Sequence, residues 1–227
     1  MMGTEESPGV NRRAVKELLR VCKLREDVDF TLKISIMEIY NEKIFDLLNS
    51  KAIGQETCEI RMDPNTKLPF VSNLVERQVT SVEDVMKILA EGDANRSVAS
   101  TSMNASSSRS HLLLQITVNT YNNISNVSTT GKLTLVDLAG SERISKSEAT
   151  GQRLVEAAAI NKSLSALGQV FTSIRTGQPH IPYRNSKLTH ILQDSLGGDS
   201  KTCFFINVSP AESNISETMG TLLFGQV

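Results

Sequence analysis

The chain has 227 residues, 39% of them hydrophobic and 22% charged, which suits one large domain with its own core and excludes a disordered chain. Its 24 Lys/Arg against 25 Asp/Glu leave a net charge of −1, so it is no globally basic nucleic-acid binder, and an anionic partner has to meet a local patch. Three widely spaced cysteines (Cys22, Cys58, Cys203) without a C-x-x-C point to core thiols in a reducing compartment; no apolar run reaches the length of a membrane span, and the N-terminus has no signal-peptide core.

Residues 1–9 read as loop, and Val15, Leu18, Leu19 and Cys22 then mark a helix. Residues 29–40 read as a long strand, with Leu32, Ile34 and Ile36 on one face and Met37 and Ile39 on the other. Asn41-Glu42 is a turn into a short apolar continuation, residues 44–48. Residues 49–73 suggest short strands and loops, with Asp63-Pro64-Asn65 as a turn. Ser81 and Asp84 form a capping box for a helix with Val82, Val85, Met86 and Leu89 on its buried stripe, and Gly92 is expected to end it.

Leu112, Leu114, Ile116 and Val118 share one face of the next strand. Residues 121–130, rich in Asn, Ser and Thr, read as a hairpin-like loop that returns through Gly131 into a strand over residues 133–138, expected to be buried on most of both faces and antiparallel to its predecessor. Residues 153–172 are helical, with Leu164, Leu167 and Phe171 on one face; Asn185 or Ser186 caps a further helix closed by Gly197-Gly198; residues 201–208 read as an apolar strand and 216–224 as a last short helix. Strands and helices interleave without a repeat, which predicts an α/β fold with a mixed central β-sheet flanked by helices on both faces.

The strand over residues 133–138 ends in Asp137, followed by Gly140. An ionised Asp at the carboxyl end of a buried strand needs a cation or donors. In nucleotide triphosphatases such an Asp holds Mg²⁺, and a nearby Gly senses the terminal phosphate through its N–H. An ordinary strand end with a capping Asp fits the same residues. The polar run before Leu112, residues 104–111, places small hydroxyls around Arg109, and hydroxyls approach a phosphate or metal closely while Arg pairs with phosphate or carboxylate. If the two strands are neighbours, Arg109 and Glu142 meet at one sheet edge.

Asn-x-x-Ser-Ser-Arg-Ser-His (residues 104–111) followed by Asp-Leu-Ala-Gly-Ser-Glu-Arg (137–143) resembles switch I and switch II of the kinesin motor domain. Glu38-Ile39-Tyr40-Asn41-Glu42, Asp46-Leu47-Leu48, and the runs at 160–168, 182–189 and 192–198 match in the same order. The resemblance implies a P-loop NTPase-like motor fold, ATP and Mg²⁺ as cofactors, microtubules (tubulin) as partner, and a cytoplasmic place on the cytoskeleton. It makes Ser108, Arg109, Gly140 and Glu142 the catalytic set, with Arg109–Glu142 as the bridge that closes when both switches grip ATP. Asn104, Ser107, Ser108, Asp137 and Gly140 would contact nucleotide, and Ser108 and Asp137 would hold Mg²⁺, Asp137 through water. Between residues 143 and 201, eight Lys/Arg stand against four Asp/Glu, a basic concentration in a chain of net charge −1. With the resemblance this face becomes the one that docks on acidic tubulin, through Lys146, Asn161, Lys162, Arg184 and Lys187.

The sequence departs from the family pattern at several points. No G-x-x-x-x-G-K-[ST] occurs; residues 197–202 are a near miss with Ser at the second Gly. Met1-Met2-Gly3 is similar to the end of the helix that follows the P-loop, so the expected domain is N-terminally incomplete: switch I, switch II and the track-binding half without the P-loop. Such a chain is expected to expose a sheet edge and apolar surface and to hydrolyse no ATP alone. Glu148 stands where the family has Gly, His190 at an often basic position, and Gly225-Gln226 for an expected Ala and polar residue. Residues 8–14 are similar to the minus-end-directed, C-terminal-motor kinesins, and dimer contacts would run through segments outside these residues. Two other readings compete. A Ras-type GTPase fits D-x-x-G but lacks the Asp of Asn-Lys-x-Asp at residues 161–164, and a non-hydrolysing microtubule-binding or partner-binding module fits the rest.

Overall fold

The computed structural model describes residues 1, 3, 4, 6–103, 107–141 and 152–226, and for residues 100–103, 107 and 152–154 the backbone alone. Its frame is the 13-residue strand β1 (Val28–Tyr40), which follows helix α1 (Val10–Lys23). One edge of β1 is shared by two short strands: β2 (Lys43–Asp46) opposite Met37 to Tyr40, and β5 (Arg77–Val79) opposite Leu32 to Ile34. The other edge pairs along its length with β6 (His111–Asn122), which pairs in turn with β7 (Val127–Asp137), giving the order β2-β1-β6-β7. Asn41 and Glu42, with φ of 50° and 59°, make the two-residue turn whose twist suits an antiparallel hairpin. A separate hairpin joins β3 (Glu59–Met62) to β4 (Pro69–Ser72). Every pairing among the described residues is antiparallel, so the parallel component of a mixed sheet is not among them.

Period-2 alternation sorts the strands into two cores. Leu32, Ile34, Ile36, Leu112, Leu114 and Ile116 face α1 and α2 (Val82–Met103), where Val15, Leu19, Val85 and Leu89 meet them. Met37, Ile39 and Leu113 point the other way, onto Leu188, Ile191 and Leu192. These last residues belong to α4 (Lys187–Ile191) and the residue after it, which follow α3 (Gln152–Arg175) and precede α5 (Gln193–Leu196) and α6 (Ile215–Gly225). Each fully buried Leu or Ile here contributes roughly 1.5–3 kcal/mol, so both faces are anchored.

Four local expectations change. Gly92 does not end α2, which runs on to Met103; the glycine lets the helix approach β1, because a Cβ there would lie 2.8 Å from Ile36 Cδ1. Residues 121–130 are mostly strand, with a loop of only 123–126 between β6 and β7. Leu133 and Leu135 are half-buried rather than buried, because among the described residues β7 has a strand partner on one edge alone. Residues 201–208 form no strand: Phe204 packs against Phe171 and Phe224, Phe205 is 72% exposed, and no strand among the described residues pairs with them. Ile206 lies over Gly225, its Cδ1 2.0 Å from where a Cβ there would stand.

Candidate functional site

The β6–β7 register creates the site. Leu112 lies opposite Asp137, so the open ends of this hairpin bring the segment before β6 against the segment after β7. The short turn Ser107–Arg109 and the Ala139–Gly140 segment therefore meet at one sheet edge, and the Gly140 N–H donates to the Ser108 carbonyl at 2.8 Å. Asp137 closes β7 with its side chain 44% exposed; the Met1 α-amino group lies 3.9 Å from its carboxylate. The Ser108 side chain, in the turn, is exposed.

His111, the first residue of β6, is 3% exposed and fully used. The Ala139 N–H donates to Nδ1 at 3.0 Å, and Nε2 lies 2.7 Å from the Ser163 hydroxyl on α3, which in turn donates to the Ile160 carbonyl. Because Nδ1 accepts, Nε2 carries the proton and the chain of bonds runs one way. Burial lowers the His111 pKa to about 4, so the ring is neutral at physiological pH. It acts as a fixed spacer between the residue before Gly140 and α3.

Two buried carboxylates hold the neighbouring side chains. Glu38 of β1, 3% exposed, accepts from Arg96 Nε of α2 at 2.9 Å and from the Ser110 hydroxyl, while Arg96 also reaches Ser110 Oγ at 3.1 Å. Glu156 of α3, also 3% exposed, accepts from Arg109 Nη1 at 2.9 Å and from the Tyr40 hydroxyl at 2.7 Å. Buried carboxylates are tolerated when donors surround them in this way. Glu38, Tyr40 and Ser163 lie in stretches that resemble the family, but the sequence assigned them no role in the site, and Arg96 and Glu156 lie outside every quoted motif. A charged residue on an otherwise buried stripe was the available signal: Glu38 shares the Ile34 and Ile36 face, and Glu156 stands seven residues before Ser163.

The structure thus brings Ser108, Arg109, Asp137 and Gly140 to one edge. Asn104, Glu142, Lys146 and Glu148 lie outside the described residues, as does the Ser107 side chain. Arg109 has Glu156 as its carboxylate partner within the described residues. No group of three or more His, Cys, Asp or Glu that could hold a metal occurs among the described residues. Among the described residues the edge offers one carboxylate and the Ser108 hydroxyl, which would suit a water-mediated hold on Mg²⁺ rather than a cage. The near miss at residues 197–202 is no cradle: Ser200 and Thr202 hydroxyls donate to the Asp194 and Ser195 carbonyls at the end of α5.

Lys162 and Arg184 are exposed, and Asn161 and Lys187 half-exposed, along α3 and just before and at the start of α4. Glu42 ties these elements together, 3.6 Å from Lys162 Nζ and accepting from the Lys187 N–H at 3.2 Å. Burial, followed by the charges of Arg184 and Lys187, lowers the pKa of His190, which therefore adds no cation to this face at neutral pH. Ser186 caps α4, accepting from the Thr189 N–H.

Comparison with known proteins agrees with this geometry. The kinesin motor domain family model matches residues 1–227. A kinesin-like protein of Arabidopsis thaliana, KIN-14R, is 47% identical over 225 residues, spanning 99% of this chain and 21% of the relative. Among solved structures, a fast kinesin superposes with a TM-score of 0.90 at 42% identity, covering 100% of this chain and 64% of that one. The motor domain of the kinesin-like protein Kar3 of Saccharomyces cerevisiae does so with a TM-score of 0.82 at 40% identity, covering 99% and 68%. The chain accordingly belongs to the kinesin motor domain family.

Proposed function

We propose that residues 1–227 are the switch and track-binding part of a motor domain that couples ATP binding and hydrolysis to movement on microtubules in the cytoplasm. The observation that carries this reading is the Gly140 N–H to Ser108 carbonyl bond at 2.8 Å, which couples the two expected switches at the edge where a nucleotide would lie. Bound Mg²⁺-ATP would supply the phosphoryl group and the charge that the edge responds to. Gly140 would exchange the Ser108 carbonyl for a phosphate oxygen, a more highly charged acceptor. Ser108 and Asp137 would orient the water shell of Mg²⁺, and Arg109 and Glu142 would close the site as positioning and charge-stabilising groups. His111 passes any shift of Ala139 to Ser163, and so to α3, whose exposed Asn161 and Lys162 belong to the proposed tubulin face with Lys146, Arg184 and Lys187. The cradle of backbone N–H groups that phosphates require matches no motif in this sequence, so the catalytic set here is a partial one.

The test compares Mg²⁺-ATP hydrolysis, with and without microtubules, by residues 1–227 and by the full-length protein. The fragment is expected to pellet with microtubules without turnover, and the full-length protein to show microtubule-stimulated turnover. Turnover by the fragment would refute the partial site, and a full-length protein without stimulation would refute the motor reading and favour a non-hydrolysing microtubule-binding module.

A further inference from the structure

Glu156 is a charged residue on the buried stripe of α3, the face that also carries Ser163, Leu167 and Val170. Its two donors differ in kind. Tyr40 closes β1 and is held in the sheet opposite Lys43, so its hydroxyl is anchored at 2.7 Å. Arg109 sits in the turn before β6, next to Ser108, with its side chain 31% exposed. We propose that Glu156 is the positioning residue for Arg109: the place of α3 sets where the guanidinium lies, and Tyr40 fixes the carboxylate to the sheet. The proposal rests on the reading of the chain as a kinesin-type ATPase.

The coupling is electrostatic and geometric. Among the described residues Glu156 has Arg109 and Tyr40 as its donors, so departure of Arg109 with α3 in place would leave a buried carboxylate with one neutral donor, which is costly. Conversely, an axial shift of α3 moves Glu156 away from Tyr40 and Arg109 together, and moves Ser163 away from His111 in the same step. Glu156 and Ser163 are seven residues apart, two turns along one face, so a single helix displacement acts on both contacts. The exposed Lys162, paired with Glu42, lies on the same helix. A load on the outer face of α3 therefore reaches Arg109 through Glu156.

The experiment measures microtubule-stimulated ATP turnover of the full-length protein carrying Glu156→Gln, Tyr40→Phe or both. Glu156→Gln keeps the shape and loses the charge; kcat is expected to fall about tenfold with the KM for ATP within twofold of the unsubstituted protein. Tyr40→Phe is expected to lower kcat about threefold and to have no further effect in the Glu156→Gln background, since it acts through the carboxylate. A kcat unchanged by Glu156→Gln, or a rise in KM that accounts for the whole loss, overturns the proposal. Should Glu156→Gln fail to fold, Tyr40→Phe decides, because it removes one hydroxyl, and an unchanged kcat then overturns the proposal. Absence of stimulated turnover in the unsubstituted protein overturns the functional reading and this proposal together, whereas stimulated turnover with unaffected variants overturns this proposal alone.

Discussion

His111→Asn isolates the spacer between the Ala139–Gly140 segment and α3. In the native protein the ring is neutral, with its pKa lowered from 6.5 to about 4 by burial. An unfolded chain releases that ring to water, where its pKa returns to about 6.5. Between these values the unfolded state binds the proton and the folded state does not, so stability falls as pH falls from about 6.5 toward 4. At 1.36 kcal/mol for each pH unit, the loss between pH 7 and pH 5 that belongs to His111 is roughly 2 kcal/mol. Asparagine retains an acceptor for the Ala139 N–H, leaves Ser163 its bond to the Ile160 carbonyl, and removes the titration. Loss of the Ser163 contact and of part of the ring volume should cost about 1–3 kcal/mol at pH 7. Urea unfolding followed by circular dichroism, at both pH values, measures the difference between the two proteins. His180, His190 and the carboxylates are common to both and drop out. The stability advantage of the native protein over the variant should shrink by roughly 2 kcal/mol on going from pH 7 to pH 5. An advantage that stays constant within about 0.5 kcal/mol would show that the ring is not held neutral and would refute the proton assignment along the chain of bonds.

Three further outcomes are expected. Glu38→Ala leaves Arg96, 14% exposed, and Ser110 without their carboxylate and should cost about 3–5 kcal/mol, a fall of roughly 10 °C in Tm by calorimetry. Gly92→Ala gains about 1 kcal/mol of helix propensity, yet a Cβ 2.8 Å from Ile36 Cδ1 over-packs the α2–β1 contact, so net destabilisation of about 1 kcal/mol is expected in denaturant melts; a stabilised variant would contradict over-packing at this contact. Microtubule pelleting should weaken steeply between roughly 50 and 200 mM salt, and Lys162→Ala should reduce that slope, because exposed charges are screened on the scale of roughly 10 Å; binding indifferent to salt would exclude the basic face as the contact.

Where a stretch was legible in the sequence, burial alternated on one period. β1 and β6 separate their apolar residues onto two faces as the sequence pattern requires, and the Ser81–Asp84 capping box forms with both of its bonds. Illegible stretches were those where a residue answered to a neighbour distant in the chain. Gly92 reads as a helix stop until Ile36 is placed against it. Residues 201–208 have the composition of a strand, but a strand needs a ladder partner, and local composition does not carry one. Tyr121 to Thr130 look like loop because their side chains are polar, yet they pair across β6 and β7, with Thr120 and Thr129 hydroxyls 2.6 Å apart on the exposed face. The site shows the same division. Ser108, Arg109, Asp137 and Gly140 were recognisable as a motif, whereas the pairing of Glu156 with Arg109, 47 residues away, and of Glu38 with Arg96, 58 residues away, became visible only once the helices were docked.

The Gly140–Ser108 bond gives the edge a defined resting arrangement. An N–H meant to sense an anion must have a partner in the absence of that anion, since a buried unpaired amide costs about 1–3 kcal/mol. Here the partner is the carbonyl of Ser108, in the turn that also carries Arg109. Under the proposed function, a phosphate oxygen that took the Gly140 amide would release that carbonyl at the same moment. That release loosens the turn whose next residue is fixed to α3 through Glu156, while Ala139, one residue before Gly140, remains fixed to α3 through His111. The two linkages leave α3 from points two turns apart and reach opposite sides of the same hydrogen bond. Exchange at Gly140 would thus load the two linkages unequally. An unequal load of this kind would carry the state of the proposed nucleotide edge along α3 to Asn161 and Lys162. Coupling of this kind predicts that Ser163→Ala, which removes the hydroxyl but leaves the Glu156 linkage whole, lowers microtubule-stimulated turnover without abolishing microtubule binding; loss of binding with turnover per bound motor unchanged would refute a transmitting role for His111.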